Sequence, residues 1–159
     1  MAEAQRSVRP TVSPLPGGAR VLIVEARFYE ALAEELAAGA LAELKRHKVQ
    51  SDRFAVPGAF EIPGAIASAA DSGRFDGFIA LGCVIRGETS HYDLICNEVA
   101  RGLMDLSLHG IPVAFGVLTV ENEAQAKVRA DRKQKNKGRE AVDAVLRMIE
   151  LSRHFSEEA

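Results

Sequence analysis

One of the chain's four histidines stands in company suited to chemistry: His91 follows Arg86-Gly87-Glu88-Thr89-Ser90 and precedes Asp93. An imidazole that titrates near neutrality can take up and return a proton, and Asp93, two residues on, could orient or polarise the ring. A structural histidine fits the same local pattern, so the residues alone leave both readings open. Gly87-Glu88-Thr89 leads into a segment predicted to be helical. Backbone N–H groups ahead of a helix, reinforced by its dipole, form an anion site, and the Thr89 and Ser90 hydroxyls add donors or cap the helix. The chain carries neither GxxxxGK[ST] nor GxGxxG, which argues against a nucleotide triphosphate site. His47, His109 and His154 sit in polar surroundings that predict ordinary surface placement.

Other loops carry unusual material. Phe28 and Phe60 are aromatic rings where a simple turn would be polar; they could sandwich a flat heterocycle, or plug the end of a sheet as core. Residues 127–137, KVRADRKQKNK, read as a solvated basic face or as a phosphate clamp, since an arginine grips phosphate through two parallel hydrogen bonds. Metal ligation is not expected, because no HExxH or CxxC spacing occurs. The serine elbow GxSxG is also missing. Cys83 and Cys96 both lie in apolar segments and read as reduced, packed thiols.

The elements that must position these residues are legible from periodicity. Val21–Val24 is a β-branched run typical of a strand buried on both faces. A helix is predicted from Tyr29 to Arg46, with Leu32, Leu36, Ala40 and Leu44 as its stripe and Glu30, Glu34, Glu35, Glu43 and Lys45 on the other faces. Gly39 within it weakens the helix by about 1 kcal/mol relative to alanine, which close packing against another element would explain. Arg53–Val56 reads as a second strand, and Phe60–Ala70 as a helix that admits Pro63 in its first turn. A third strand, Phe78–Leu81, continues towards Val84-Ile85; a helix follows over Tyr92–Leu108, then a fourth strand over Val113–Leu118. Helices over Glu123–Arg129 and Gly138–Arg153 complete the pattern. Strands alternating with helices imply βαβ units. Right-handed crossovers then favour a three-layer α/β/α sandwich, flavodoxin-like, with a four-stranded parallel sheet and helices on both faces. Such sheets bind ligands beyond the carboxyl ends of their strands, where Phe28, Phe60 and His91 fall.

A chain of 159 residues suits one domain, expected over residues 20–159. It buries about 68–70% of its unfolded surface without help from disulfide or metal. Residues 1–19, with Pro10, Pro14, Pro16, Gly17 and Gly18, read as a flexible arm or as a strand that orders only against a neighbour. A formal charge of −2 argues against nucleic acid as a partner. The lack of a secretory h-region or of a long apolar run argues against export and membranes, so a cytoplasmic location is expected.

Taken together, the loops resemble those of the lumazine synthases. The matching pieces are Arg27-Phe28, the stretch VPGAFEIP over residues 56–63, and LGCVIRGETSHYD over residues 81–93. Cys96-Asn97-Glu98, FGVLTVEN over residues 115–122, and Asn136-Lys137-Gly138 complete the set. The resemblance runs from about Val21 to the C-terminus. It implies condensation of a ribitylamino-pyrimidinedione with 3,4-dihydroxy-2-butanone 4-phosphate to 6,7-dimethyl-8-ribityllumazine, with no cofactor. It also implies roles. His91 is the general acid and base, Arg129 holds the phosphate with the backbone of Glu88 and Thr89, and Gly87 belongs to the substrate-binding set. Phe28 stacks on the pyrimidine, Ala59, Phe60 and Glu61 bind the ribityl chain, and Val84 and Ile85 line the site. Phe115, Lys137 and Arg129 reach it from the adjacent subunit of a pentamer, and riboflavin synthase is the further partner the resemblance implies.

Three departures from the family pattern bear on those roles. Tyr29 stands where asparagine often follows Arg-Phe, and Glu88 sets a carboxylate beside the phosphate loop. Residues 131–136 lack the glycines common in members that build sixty-subunit shells, which favours a free pentamer. The rival readings are a riboflavin- or lumazine-binding carrier or sensor with little catalysis, a flavodoxin-like electron carrier and a shell protein. The electron carrier needs a phosphate loop after the first strand, and Glu25-Ala26-Arg27-Phe28 makes a poor one.

Overall fold

The computed structural model describes Leu15 and residues 17–157. The arm expected over residues 1–19 falls for the most part outside the described residues. The first strand, β1 (Arg20–Ala26), is buried throughout after its first residue, as its β-branched run predicts. Helix α1 (Glu30–Arg46) returns along the sheet to β2 (Gln50–Val56). This strand begins three residues before the apolar signal at Arg53, because Gln50 and Ser51 pair with Arg20 and Val21 of β1. A single 3-10 turn (Ala59–Glu61) then enters α2 (Ile62–Asp71), where a continuous helix from Phe60 is predicted. Pro63 sits at the helix start, where its missing N–H costs nothing. The chain continues through β3 (Gly77–Ile85), α3 (His91–Leu108), β4 (Val113–Val120), α4 (Glu123–Ala130) and α5 (Lys137–Glu157).

All strand pairs are parallel and the sheet order is β2-β1-β3-β4. Alternation along the strands divides the core. Val21 and Ile23 face a layer formed by α1, α4 and α5, with Leu36, Leu44, Ala126, Val142 and Val145. Leu22 and Val24 face α2 and α3, through Ile62, Ile66, Val99 and Leu103. This is the predicted three-layer sandwich. The strand order reverses between β1 and β3, and there the chain leaves a crevice at the carboxyl edge.

Two glycines, Gly39 in α1 and Gly138 in α5, show what small residues allow between these helices. A Cβ on Gly39 would collide with the Asn136 side-chain oxygen, and one on Gly138 would collide with the Leu36 carbonyl oxygen. The glycine that weakens α1 as an isolated helix thus lets the start of α5 lie against it. Two sequence expectations are corrected at the other end of α1. Glu43, assigned to a polar face, is 6% exposed, and His47 is half-buried rather than an ordinary surface residue. The carboxylate of Glu43 takes two hydrogen bonds from Arg46, at 2.7 and 3.1 Å, and lies 3.3 Å from His47 Nε2. Glu43, His47 and Asp143 also bring their ligand-type atoms within 4.8 Å of one another. Arg46 already fills this cluster, which lies at the amino edge of the sheet, far from the crevice. No helix among the described residues is long and apolar enough to cross a membrane.

Candidate active site

The turn after β1 is built on a buried charge. Glu25, 3% exposed, accepts from Arg27 at 2.7 Å and from Arg53 of β2 at 3.0 and 3.1 Å. Both arginines also reach Glu34 of α1, each at 3.1 Å. Hydrogen bonds from Arg53, then Arg27, hold the Glu34 carboxyl below its usual range. The network joins β1, β2 and α1 at the base of the Arg27-Phe28 turn.

Phe28 is 75% and Phe60 58% exposed, so neither ring plugs the sheet. Tyr29 meets Phe28 edge to face, with ring centroids 5.0 Å apart. The two phenylalanines flank a crevice of about 550 Å³ lined also by Tyr29, Gly58, Ala59, Glu61, Cys83, Val84, Ile85, Gly87, Thr89, His91, Tyr92 and Ile95. That volume suits a heterocycle with a short side chain. A Cβ at Gly58 would stand 3.2 Å from Glu61 Oε2, so the glycine leaves this carboxylate room. At Gly87 a Cβ would meet nothing within 4 Å; the fold itself makes no demand for glycine there.

Nine residues predicted from sequence therefore share one cavity: Phe28, Ala59, Phe60, Glu61, Val84, Ile85, Gly87, Thr89 and His91. Glu88 is exposed beside it and does not line it. Phe115, Arg129 and Lys137 are also absent from its wall. Phe115 is 48% exposed on β4, Arg129 donates to the Gln125 carbonyl at 3.1 Å, and Lys137 donates to Glu140 at 2.7 Å. Sequence reasoning missed Gly58, Cys83, Tyr92 and Ile95 as lining residues, although Ile95 lies four positions after His91 on one helix and so shares its face.

One geometric expectation fails. Asp93 does not orient His91: its two oxygens face Arg86 Nη1 and Nη2, each at 3.2 Å. The backbone N–H of His91 donates to Thr89 Oγ1 at 3.3 Å. Ser90, the residue before α3, makes no side-chain cap.

Cys83 and Cys96 are free, as expected. Burial pushes the Cys83 thiol up to about 11, and burial likewise raises Cys96, so neither is a ready nucleophile. Cys83 gives a pH prediction. An unfolded thiol ionises near 8.5 while the folded one keeps its proton, so above that pH the unfolded chain binds fewer protons. Its contribution is present below about pH 8.5 and is lost as the pH rises through about 11. Urea midpoints at pH 8 and 10.5 should fall further for the wild type than for Cys83→Ala; equal falls would refute the assignment.

A parallel α/β/α sandwich whose crevice combines exposed aromatic rings, a carboxylate, a histidine and a helix N-terminus defines a flavodoxin-like protein that binds small molecules at its strand ends. Comparison with known proteins narrows this. The family model for 6,7-dimethyl-8-ribityllumazine synthase matches residues 18–153. The chain is 53% identical over 138 residues to the 6,7-dimethyl-8-ribityllumazine synthase of Novosphingobium aromaticivorans, covering 87% of this chain and 99% of that one. It is 50% identical over 151 residues to the synthase of Methylobacterium radiotolerans, covering 94% and 92%, and 53% identical over 137 residues to that of Sphingopyxis alaskensis, covering 86% and 97%. The chain belongs to the 6,7-dimethyl-8-ribityllumazine synthase family.

Proposed function

We propose that the chain condenses 5-amino-6-(D-ribitylamino)uracil with 3,4-dihydroxy-2-butanone 4-phosphate to 6,7-dimethyl-8-ribityllumazine, releasing phosphate and water. The observation that carries this is the union of Phe28, Glu61, Thr89 and His91 around one cavity. Phe28 stacks on the pyrimidine, the Ala59–Glu61 turn takes the ribityl chain, and the Glu61 carboxylate accepts from its hydroxyls. Val84 and Ile85 form an apolar wall, and the N–H groups of Gly87, Glu88 and Thr89 receive the phosphate, reinforced by the dipole of α3. The Glu88 side chain, being outside the cavity wall, leaves that backbone accessible.

The amine of the uracil attacks the ketone and water leaves to form an imine. Removal of the proton from the neighbouring hydroxyl-bearing carbon allows phosphate to depart with its bonding electrons and leaves an enol. The enol tautomerises to a ketone, and attack of the ribitylamino nitrogen on that new carbonyl closes the ring with loss of a second water. Each step moves a proton beside His91, the cavity's imidazole, which alternates between base and acid. Holding both substrates in one cavity supplies proximity.

Arg129, Phe115 and Lys137 reach the cavity from an adjacent copy in a pentamer. Support comes from their absence from the cavity wall of their own chain, and from exposed apolar side chains on β4 and α3, Phe115, Leu94, Met104 and Leu108. The low glycine content of residues 131–136 favours a free pentamer; light scattering near sixty subunits would overturn this. The location is cytoplasmic, and riboflavin synthase, which would consume the product, is the proposed partner.

Mixing the protein with both substrates and following lumazine fluorescence and phosphate release tests the reaction. Turnover above the uncatalysed rate is expected; flavin binding without turnover would point to a carrier. Gly87→Ala should raise KM for the butanone phosphate several-fold while leaving thermal stability unchanged or slightly higher, because the added methyl meets the ligand rather than the protein. An unchanged KM would remove the phosphate from this turn.

A further inference from the structure

The first turn of α3 holds His91 but lacks the usual means of holding itself. Ser90 gives no side-chain cap. Asp93, at the position from which a carboxylate can reach back to cap a helix, is turned elsewhere, and among the described residues no protein group hydrogen-bonds the His91 ring. The position of His91 therefore depends on whatever fixes the turn as a body. One side chain joins the first turn of α3 to the end of β4. Arg86 leaves the end of β3 with its own N–H bound to the Val120 carbonyl at 2.9 Å. Its guanidinium donates through Nε to Glu121 Oε2 at 2.8 Å, just past β4, and through both terminal nitrogens to Asp93 at 3.2 Å. Its Cζ lies 4.2 Å from the centre of the Tyr92 ring, and that ring lines the cavity.

We propose that Arg86 is a positioning residue of the synthase, clamping the first turn of α3 to the ends of β3 and β4 so that His91 and the Gly87–Thr89 turn keep a fixed relation to one another. The inference rests on the function proposed above. Arg86 touches no substrate; it acts through Asp93, Tyr92 and the backbone that follows it. The geometry needs a guanidinium. A planar fork can serve Asp93 with two nitrogens and Glu121 with the third while lying over the Tyr92 ring, whereas an ammonium is a point charge on a flexible stem. A displacement of about 1 Å in a reacting group costs up to a hundredfold in rate, so loosening this turn should be felt in catalysis more than in folding.

Steady-state kinetics of Arg86→Ala and Arg86→Lys test it, with both substrates varied. Expected are a fall in kcat of about tenfold to a hundredfold and a raised KM for the butanone phosphate. KM for the uracil substrate, which the Phe28 and Ala59–Glu61 loops hold, should stay within about twofold. Lysine should restore little, whereas added guanidinium ion should restore part of the activity of Arg86→Ala and methylammonium should not. Asp93→Asn, which cuts one arm of the clamp and leaves the side-chain shape, should show the same split in milder form, and it keeps the test open if Arg86→Ala fails to fold. Wild-type kcat in these variants, full rescue by lysine, or equal shifts in both KM values would overturn the assignment. No turnover by the wild type would instead remove the functional reading and the role of Arg86 with it, while wild-type turnover with normal Arg86 variants removes the role alone.

Discussion

Replacing His91 with glutamine or alanine should lower kcat by about 10²–10⁴-fold, the usual contribution of a positioned acid–base group, with KM for each substrate changed much less. The expectation follows from where the ring stands. It enters a cavity in which it is the one imidazole and Glu61, on the turn after β2, the one carboxylate. Losing the imidazole leaves proximity and backbone dipoles intact, so binding persists while proton transfers slow. The pH dependence of kcat should lose one limb. His109→Ala, at the far end of α3 with Nδ1 2.7 Å from the Asp105 carbonyl oxygen, serves as the control and should leave the rate alone. If His91→Ala keeps the full rate, protons move through another group, and the proposed centre of the site is wrong.

Gly138→Ala should cost about 3 kcal/mol of stability, the upper end of what overpacking usually does and a large share of the roughly 5–15 kcal/mol that holds a domain folded. The new methyl would enter the Leu36 carbonyl oxygen and stand 3.0 Å from Ala40 N. These are the acceptor and donor of one turn of α1, so making room means breaking that helix or lifting α5 away from it. Both move Lys137, one residue earlier, which is proposed to serve a neighbour's site. Urea denaturation measures the loss as a lower midpoint with an unchanged slope. Gly64→Ala is the contrast: nothing lies within 4 Å of its added methyl, it is within α2, and the change should be neutral or stabilising. A neutral Gly138→Ala would mean that α1 and α5 are less tightly joined than the structure has them.

Much of this was legible beforehand because it is local. The runs at Val21–Val24 and Phe78–Leu81 and the four-residue recurrence from Leu32 to Leu44 define strands and a helix through side-chain period alone, and the structure follows them. The loops that ought to meet at a parallel sheet's carboxyl edge do meet, and nine of the expected residues share a cavity. Periodicity could not show the start of β2 at Gln50, since pairing with Arg20 sets it, nor the break at Ala59–Glu61 ahead of α2.

The sequence by itself determined the alternation of elements, the residue types at the strand ends and the family. Tertiary structure alone decided which charges find which partners. Asp93 lies two residues from His91 yet pairs with Arg86, because the end of β4 and the first turn of α3 converge on that guanidinium. Glu43 reads as surface yet is buried beneath Arg46 and beside His47. Gly39 and Gly138, ninety-nine positions apart along the chain, are explained only when α1 and α5 lie side by side. The physical reason is common to all three. A helix or strand is selected by neighbours a few residues away, whereas the burial of Glu43, the bridge from Arg86 to Glu121 and the close contacts of Gly39 and Gly138 need distant segments brought together. Those segments meet only through the strand order and register of the folded sheet.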